Sequence, residues 1–378
     1  MKFPSQSISG YLIVLCLFAG QVAASGEVPL LTEDGFLVPQ PGTPLTFPED
    51  HGNHPEYKIE WWYLTGHLTA ASRKRFGYQA TFFRSALKTG GQADDGSFGT
   101  SQLYLTHMAF TDEADEKFYF EQRLSRDGWD AYSRQDQMDV RNGPWHLAMV
   151  DVLTGKMELQ ASVKSDVRWD LQLLPQKPLL RFGADGTSRK GPAPEARSFY
   201  LTFSRLETRG TVQIGDEEFV VSGSSWMDHE IASSQLDPDY IGWDWIAIQL
   251  KDGWEIKAYL LRESDGSPSP FSALYWIDPE GQTHYRGPEA FSWEKSRTWR
   301  SPDTGAVYPN APVIETAHPG SGRRIAFRFQ PILNKQELTF PGATYWEGAG
   351  RVLDESGSEI GSAYLELVGY AGPIAGLR

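Results

Sequence analysis

Apolar and polar residues alternate with period two along most of the chain, in short runs broken by Gly, Pro, Asn and Asp. The pattern predicts antiparallel strands joined by turns. An extended arm over 25–50, rich in Pro, Gly and Asp, leads to a strand through His67 and Leu68, then to Phe76–Arg84, Leu103–Phe110 and Phe118–Ser125. Trp145–Val152, Lys156–Val163, Val167–Leu174, Phe199–Arg205, Thr211–Ile214 and Glu217–Val221 continue the series. The Pro-rich segment 175–196 reads as a surface excursion or lid, because strand patterns resume at once after it. A small, polar break at Ile231–Tyr240 precedes Trp243–Leu250, Trp254–Arg262, Ala273–Ile277, Glu289–Glu294, Arg324–Phe329, Tyr345–Val352 and Gly361–Tyr370. The expected organisation is all-β, with one domain over 25–235 and a second over 236–378.

Acid, imidazole and indole groups concentrate between Gly223 and Arg262. Asp228, His229 and Glu230 are consecutive, so an extended backbone points the two acids one way and the imidazole the other. Asp252-Gly253 between two apolar runs predicts a two-residue type I′ turn, which needs positive φ at both centres. The register that follows sets Lys251 opposite Trp254, Gln249 opposite Ile256, Trp245 opposite Leu260 and Trp243 opposite Arg262. One face then carries Trp243, Trp245, Ala247, Gln249, Ile256, Ala258, Leu260 and Arg262; the other carries Asp244, Ile246, Ile248, Leu250, Glu255, Lys257, Tyr259 and Leu261. Both faces are largely apolar, as for strands covered on both sides, so the acid, the amide and the guanidinium need partners or a ligand.

Composition sharpens this picture. The 378 residues exceed one typical domain, and 13 Trp supply material for large apolar interiors. Residues 1–24 read as a cleaved signal peptide: Lys2, an apolar stretch from Tyr11 to Gly20 too short to span a bilayer comfortably, then Val22-Ala23-Ala24 as the cleavage site. A periplasmic or secreted protein is expected, with no membrane span after cleavage. Cys16, the only cysteine, leaves with the signal, so the mature chain would have no disulfide or thiol chemistry. Loss of Lys2 leaves 35 − 1 = 34 basic residues against 49 acidic ones, a net charge of 34 − 49 = −15, which argues against nucleic acid or an anionic membrane surface as partner.

Familiar catalytic signatures are missing. His51-x-x-His54 has no nearby cysteine or recognisable third ligand, so no metal is expected. GGQADDGSFG has no Lys-Ser/Thr grip for phosphate, and Gly223-Ser224-Ser225-Trp226 is not a GxSxG elbow. Glu60 within EWWY reads as one satisfied acid on a buried strand, and His107, on an apolar face, as a hydrogen-bonded core histidine.

EWWYLTGHL from Glu60, FGYQATFFR from Phe76, LYLTHMAF from Leu103, SGSSWMDHE from Ser222, GWDWIAIQL from Gly242 and YWEGAGRV from Tyr345 run in order over nearly the whole chain. In these segments it resembles the AttH-like proteins, relatives of the carotenoid 1,2-hydratase (hydroxyneurosporene synthase, CrtC) family. The resemblance implies two lipocalin-like antiparallel β-barrel domains packed together, an apolar cavity, and, in the hydratase branch, cofactor-free addition of water to an isoprenoid double bond. It also implies ABC transporter components as partners, since many bacterial members are encoded beside them. Asp228-His229-Glu230-Ile231 departs from that branch's Asp-His-x-Trp, and Tyr259-Leu260-Leu261 from its Tyr-x-Asp.

Hydrating an isolated alkene needs an acid able to protonate carbon, aromatic faces to stabilise the cation, and a directed water; burial supplies the first by raising a carboxyl pKa. Asp228, His229, Asp244 and Tyr259 are the candidate catalytic residues. Trp226, Glu230, Trp243, Trp245, Gln249, Arg262, Trp62 and Tyr78 are the candidate ligand contacts. No cofactor is expected, and the ligand is expected to be an elongated apolar lipid or isoprenoid. Two classes of function stay open: a hydratase, isomerase or cyclase, or a non-enzymatic periplasmic lipid-binding accessory of a transporter. A structural link between the barrels through Asp228 and His229, with Arg262 stacked on Trp243, is the alternative role for the same residues.

Overall fold

The computed structural model describes residues 27–89, 100–234, 237 and 239–372; the expected signal peptide with Cys16 lies outside them, as does the GGQADDGSFG segment. The first sheet is built from β1 (Ile59–Ala70), β2 (Arg75–Ala86), β3 (Gln102–Asp112), β4 (Lys117–Arg126), β5 (Ala131–Ser133), β6 (Asp139–Asn142), β7 (Trp145–Asp151), β8 (Lys156–Val163), β9 (Val167–Pro175), β10 (Leu180–Arg181), β11 (Ser188–Arg189), β12 (Arg197–Ile214) and β13 (Glu217–Ala232). The second uses β14 (Tyr240–Leu250), β15 (Glu255–Glu263), β16 (Ala273–Ile277), β17 (Thr283–Arg286), β18 (Phe291–Arg300), β19 (Val307–Ala317), β20 (Arg324–Pro331), β21 (Glu337–Phe340), β22 (Ala343–Leu353) and β23 (Glu359–Val368). Every pairing is antiparallel, and each sheet follows chain order except where β13 closes onto β1, β12 onto β9, β23 onto β14 and β22 onto β20.

The first sheet nearly closes into a barrel. Its edge strands β4 and β5 are consecutive in the chain, and Asn142 of β6 donates from Nδ2 to the carbonyls of Tyr104 and Arg123 across the seam. The second sheet stays open between β17 and β18, so of the two expected barrels one sheet nearly closes and the other does not. Each sheet folds around its own apolar side chains: Trp62, Phe82, Leu147, Leu159 and Trp169 in the first, Ile246, Ile256, Trp276, Phe327 and Trp346 in the second.

Two local features differ from the sequence expectation. Phe199–Arg205 and Thr211–Ile214 are parts of one strand, β12, because a bulge between Phe203 and Leu206 bends it rather than ending it. Beyond the bulge β12 pairs with β9; before it, β10 and β11 take that side. The 175–196 segment is therefore a packed arm and not a surface excursion. Its Lys177 Nζ donates to the carbonyls of Gly253 and Asp278 and pairs with Glu255 of the second sheet, and its Phe182 ring lies 4.6 Å from that of Tyr275.

The second difference is the β14–β15 hairpin. The Leu250 N–H donates to the Trp254 carbonyl, so the loop holds three residues, Lys251, Asp252 and Gly253, with only Gly253 at positive φ (91°). That one extra loop residue slips the register: Trp243 faces Leu261, Trp245 faces Tyr259, and Gln249 faces Glu255. A one-residue slip exchanges the faces of one strand relative to its partner. Tyr259 and Lys257 thus lie on the Trp243 and Trp245 side, while Arg262 lies on the Asp244 side.

Candidate functional site

The period-two alternation gives each strand of the junction one side chain set for its own interior and one for the neighbouring sheet. On β1, Trp62 and Leu64 enter the first sheet's core, while Tyr63 meets Trp245 of the second sheet edge-on at 5.3 Å. On β23, Leu365 and Leu367 enter the second core and Glu366 points outward. Between the two outward-facing surfaces lies a cavity of about 430 Å³. Trp61, Tyr63, Phe83, Leu105 and His107 line it from one side; Trp243, Trp245, Tyr259, Tyr345, Glu347 and Glu366 line it from the other, with Tyr200, Asp228 and Glu230 between. A larger depression of about 1050 Å³ near Thr69, Glu158 and Arg209 is open and contains no buried ionisable group.

Four carboxyl groups line this cavity, those of Asp228, Glu230, Glu347 and Glu366. Asp228 accepts hydrogen bonds from Trp226 Nε1 at 2.9 Å, from the Tyr200 hydroxyl at 2.6 Å and from the Thr202 hydroxyl. Burial raises its pKa, and nearby Lys257 and these donors only partly oppose the rise. Glu347 and Glu366 stand directly opposite each other on β22 and β23. Burial, and then the charge of Glu366, holds Glu347 well above the usual carboxylate range. Glu366 is pushed up to about 7, again by burial first, although the Trp243 indole donates to it at 2.8 Å. His107 is neutral, its pKa lowered to about 4 by burial; it donates from Nε2 to Gln122 at 3.1 Å and accepts from the Tyr345 hydroxyl at 2.7 Å.

His229, on the other face of β13, points into the first sheet's interior. There its Nε2 bonds Glu60 Oε1 at 2.8 Å and its ring stacks on Trp62 at 4.9 Å. His54 Nδ1 meets the same oxygen at 2.9 Å, its Nε2 meets Asp50 at 2.9 Å, and Arg84 Nε lies 3.2 Å from Glu60 Oε2. The third partner that the sequence withheld from His54 is thus supplied by folding, and His51 is not part of the set; its ring packs against Phe47 and Phe203. His54, Glu60 and His229 have ligand atoms within 4.8 Å of one another, close enough for a metal ion. Yet Glu60 is already shared by both rings and a guanidinium. Its pKa falls far below the usual range while that of His54 rises to about 10, so acid and bases neutralise one another.

The remaining candidates divide by face. Asp244 is buried in the second sheet's interior, paired with Arg262 and accepting from the Tyr370 hydroxyl at 3.0 Å. Asp244 and Tyr259, expected on one face of the hairpin, lie on opposite faces, and Arg262 stacks on Tyr370 at 3.9 Å instead of Trp243. Trp62 and Tyr78 lie in the first core, where Tyr78 bonds Ser225 at 2.7 Å. Gln249 joins the sheets, donating to the carbonyls of Ser204 at 2.8 Å and Ser225 at 2.9 Å. Trp226 packs behind Asp228, and Glu230 bonds Ser198 and Lys190. Trp243, Trp245, Tyr259, Asp228 and Glu230 are the candidates that the cavity brings together.

A family model described as AttH-like matches residues 38–370. The chain belongs to the AttH-like family. A crystal structure given as an AttH protein of Nitrosomonas europaea is 34% identical, with a TM-score of 0.77 over 88% of this chain and 98% of that one. Kievitone hydratase of Nectria haematococca is 14% identical with a TM-score of 0.65, covering 92% of this AttH-like chain and 99% of its own. CghA, solved with Sch210972, is 11% identical with a TM-score of 0.53, covering 92% and 98%. The last two likenesses are of fold. No curated protein matches the chain.

Sequence reasoning passed over Tyr63, Tyr200, Glu347, Glu366 and Lys257 of this AttH-like chain. Glu347 and Glu366 each interrupt an apolar strand, in YWEGAGRV and YLELV, and a lone acid in such a run was the available signal. Their mutual opposition depends on strand pairing, which local pattern does not contain.

Proposed function

We propose that this AttH-like protein binds an elongated apolar ligand, a lipid or isoprenoid, between its two sheets and adds water to a carbon–carbon double bond there by acid catalysis. One observation carries the reading: buried carboxyl groups whose pKa values are raised face a cavity walled by indole and phenol rings. A carboxyl of Glu347 or Glu366 gives its proton to one alkene carbon; the cation on the adjacent carbon lies against Trp61, Trp243 or Trp245. Water attacks that carbon and its proton passes to the carboxylate, so the sum is addition of one water and return of the acid. Kievitone hydratase, a fold relative, is named for a hydratase reaction. Export to the periplasm or beyond belongs to the same proposal and rests on the Lys2 to Ala24 segment.

Asp228 favours a second reading. Three donors saturate it, as expected for an anion held in place, and a cavity with such an anchor also suits a carrier working beside transporter components. The discriminating experiment is native mass spectrometry of protein from its own envelope fraction, with organic extraction, comparing wild type with Glu366→Gln and Asp228→Asn. Under the first reading wild type carries a molecule one water heavier than the one held by Glu366→Gln, and heavy-oxygen water labels the wild-type product. The same unlabelled lipid in all three proteins establishes a carrier instead.

A further inference from the structure

In the cavity wall the Tyr63 hydroxyl and the Glu347 carboxyl lie within reach of each other, and among the described residues the hydroxyl and Glu347 Oε1 make no well-formed hydrogen bond. Both residues are buried, at 8% and 1% exposure, and both line the cavity. Their neighbours are committed elsewhere. Glu366 takes the Trp243 indole, His107 takes Tyr345 and Gln122, and Tyr200 donates to Asp228. A buried polar group left without a partner is costly, so an oxygen brought in by a ligand finds two groups already waiting for it.

We infer that Tyr63 and Glu347 form a polar pole within the cavity that selects apolar molecules carrying a neutral oxygen, a hydroxyl or carbonyl, and rejects carboxylates and phosphates. This rests on reading the cavity as a ligand site. The selectivity comes from charge. Burial holds Glu347 well above the usual carboxylate range, which favours its protonated, donating form; the phenol donates or accepts, and the carboxyl groups of Glu366 and Asp228 line the same cavity. An anion placed there meets carboxyl groups. Among the described lining residues the cation is Lys190, which pairs with Glu230 at 3.1 Å and lies 4.4 Å over the Tyr200 ring, so its charge is already used. Beside the hydration chemistry the same pole is where the new hydroxyl of a product would sit.

The test measures binding of dodecane, dodecanol and dodecanoic acid by quenching of tryptophan fluorescence near pH 7, in the wild-type protein and in a Tyr63→Phe, Glu347→Leu double variant. Dodecanol is expected to bind the wild type about tenfold more tightly than dodecane or dodecanoate, the worth of one well-made buried hydrogen bond. In the double variant that preference collapses while dodecane binding persists, which also shows that the fold survives. Dodecanoate binding as tightly as dodecanol, or an alcohol preference that outlives both substitutions, overturns the inference. Alcohol selectivity with no turnover of any alkene leaves this inference standing and removes the hydratase reading. Failure of all three probes to bind wild type removes the cavity as a ligand site and this inference with it.

Discussion

The first sheet's interior and the cavity between the sheets use the same ingredients and arrive at opposite chemistry. In the interior, Glu60 is fully buried yet stays ionised because His54, His229 and Arg84 converge on its two oxygens. In the cavity, Glu347 faces another carboxyl and an aromatic wall, and burial holds its pKa well above the usual carboxylate range. Desolvation acts on both; what differs is whether a cation or a second acid stands opposite. The paired cluster holds strands β1, β2 and β13 and the 50–57 segment together, whereas the cavity acids, facing each other, are held above their ordinary range.

The largest effect that separates the two is on stability. Glu60→Ala removes the carboxylate beside buried Arg84 and leaves His54 with Asp50 alone, and should cost about 3–5 kcal/mol, read as a fall in the urea midpoint. Glu347→Gln removes no partner and keeps the shape, so its midpoint should match or exceed that of wild type. A large loss from Glu347→Gln together with a small one from Glu60→Ala would invert the comparison.

The next effect is on pH dependence, and its sign differs between the regions. Glu366 has a folded pKa of about 7, above its ordinary value of 4.5, so the native state binds the extra proton between those values. Its contribution to stability is complete below about pH 4.5 and is lost as pH rises through about 7. Glu60 behaves in the reverse sense, contributing above its ordinary value and losing that contribution as pH falls. His54, raised to about 10, contributes fully below 6.5 and loses it as pH climbs through 10. Glu366→Gln should therefore be about 1–3 kcal/mol more stable than wild type near pH 8 and about equal to it near pH 4. Equal stabilities at both pH values would mean that Glu366 titrates normally.

Much of the frame was legible in the sequence, because alternation and turn residues are local. The strand runs, the opposite pointing of His229 from Asp228 and Glu230, and the aromatic character of the Trp243 strand follow from period two alone. Misreading began at Asp252-Gly253, where a three-residue loop carries the same letters as a two-residue one. That single position sent Tyr259 and Lys257 to the wrong face and joined Asp244 to the wrong neighbours. The Glu347–Glu366 opposition and the Glu60–His54–His229 cluster come from contacts across many residues of chain, and no spacing rule reaches them.

The smallest effect probes the hydrogen bond that Trp243 gives to Glu366. Trp243 Nε1 donates to Glu366 at 2.8 Å and thereby favours the charged form against burial. Trp243→Phe keeps an aromatic ring in the wall but removes that donor, so Glu366 should hold its proton to higher pH than about 7, with a stability change of only about 1 kcal/mol. The carboxyl infrared band of Glu366, identified by its loss in Glu366→Gln, gives the midpoint directly. An upward shift means that the indole tempers an acid which the cavity would otherwise keep protonated, leaving Glu366 intermediate between Glu347 and Glu60. A midpoint that stays in place means that burial and the charges of Asp228 and Glu230 set the titration, and Trp243 serves the cavity only through its face.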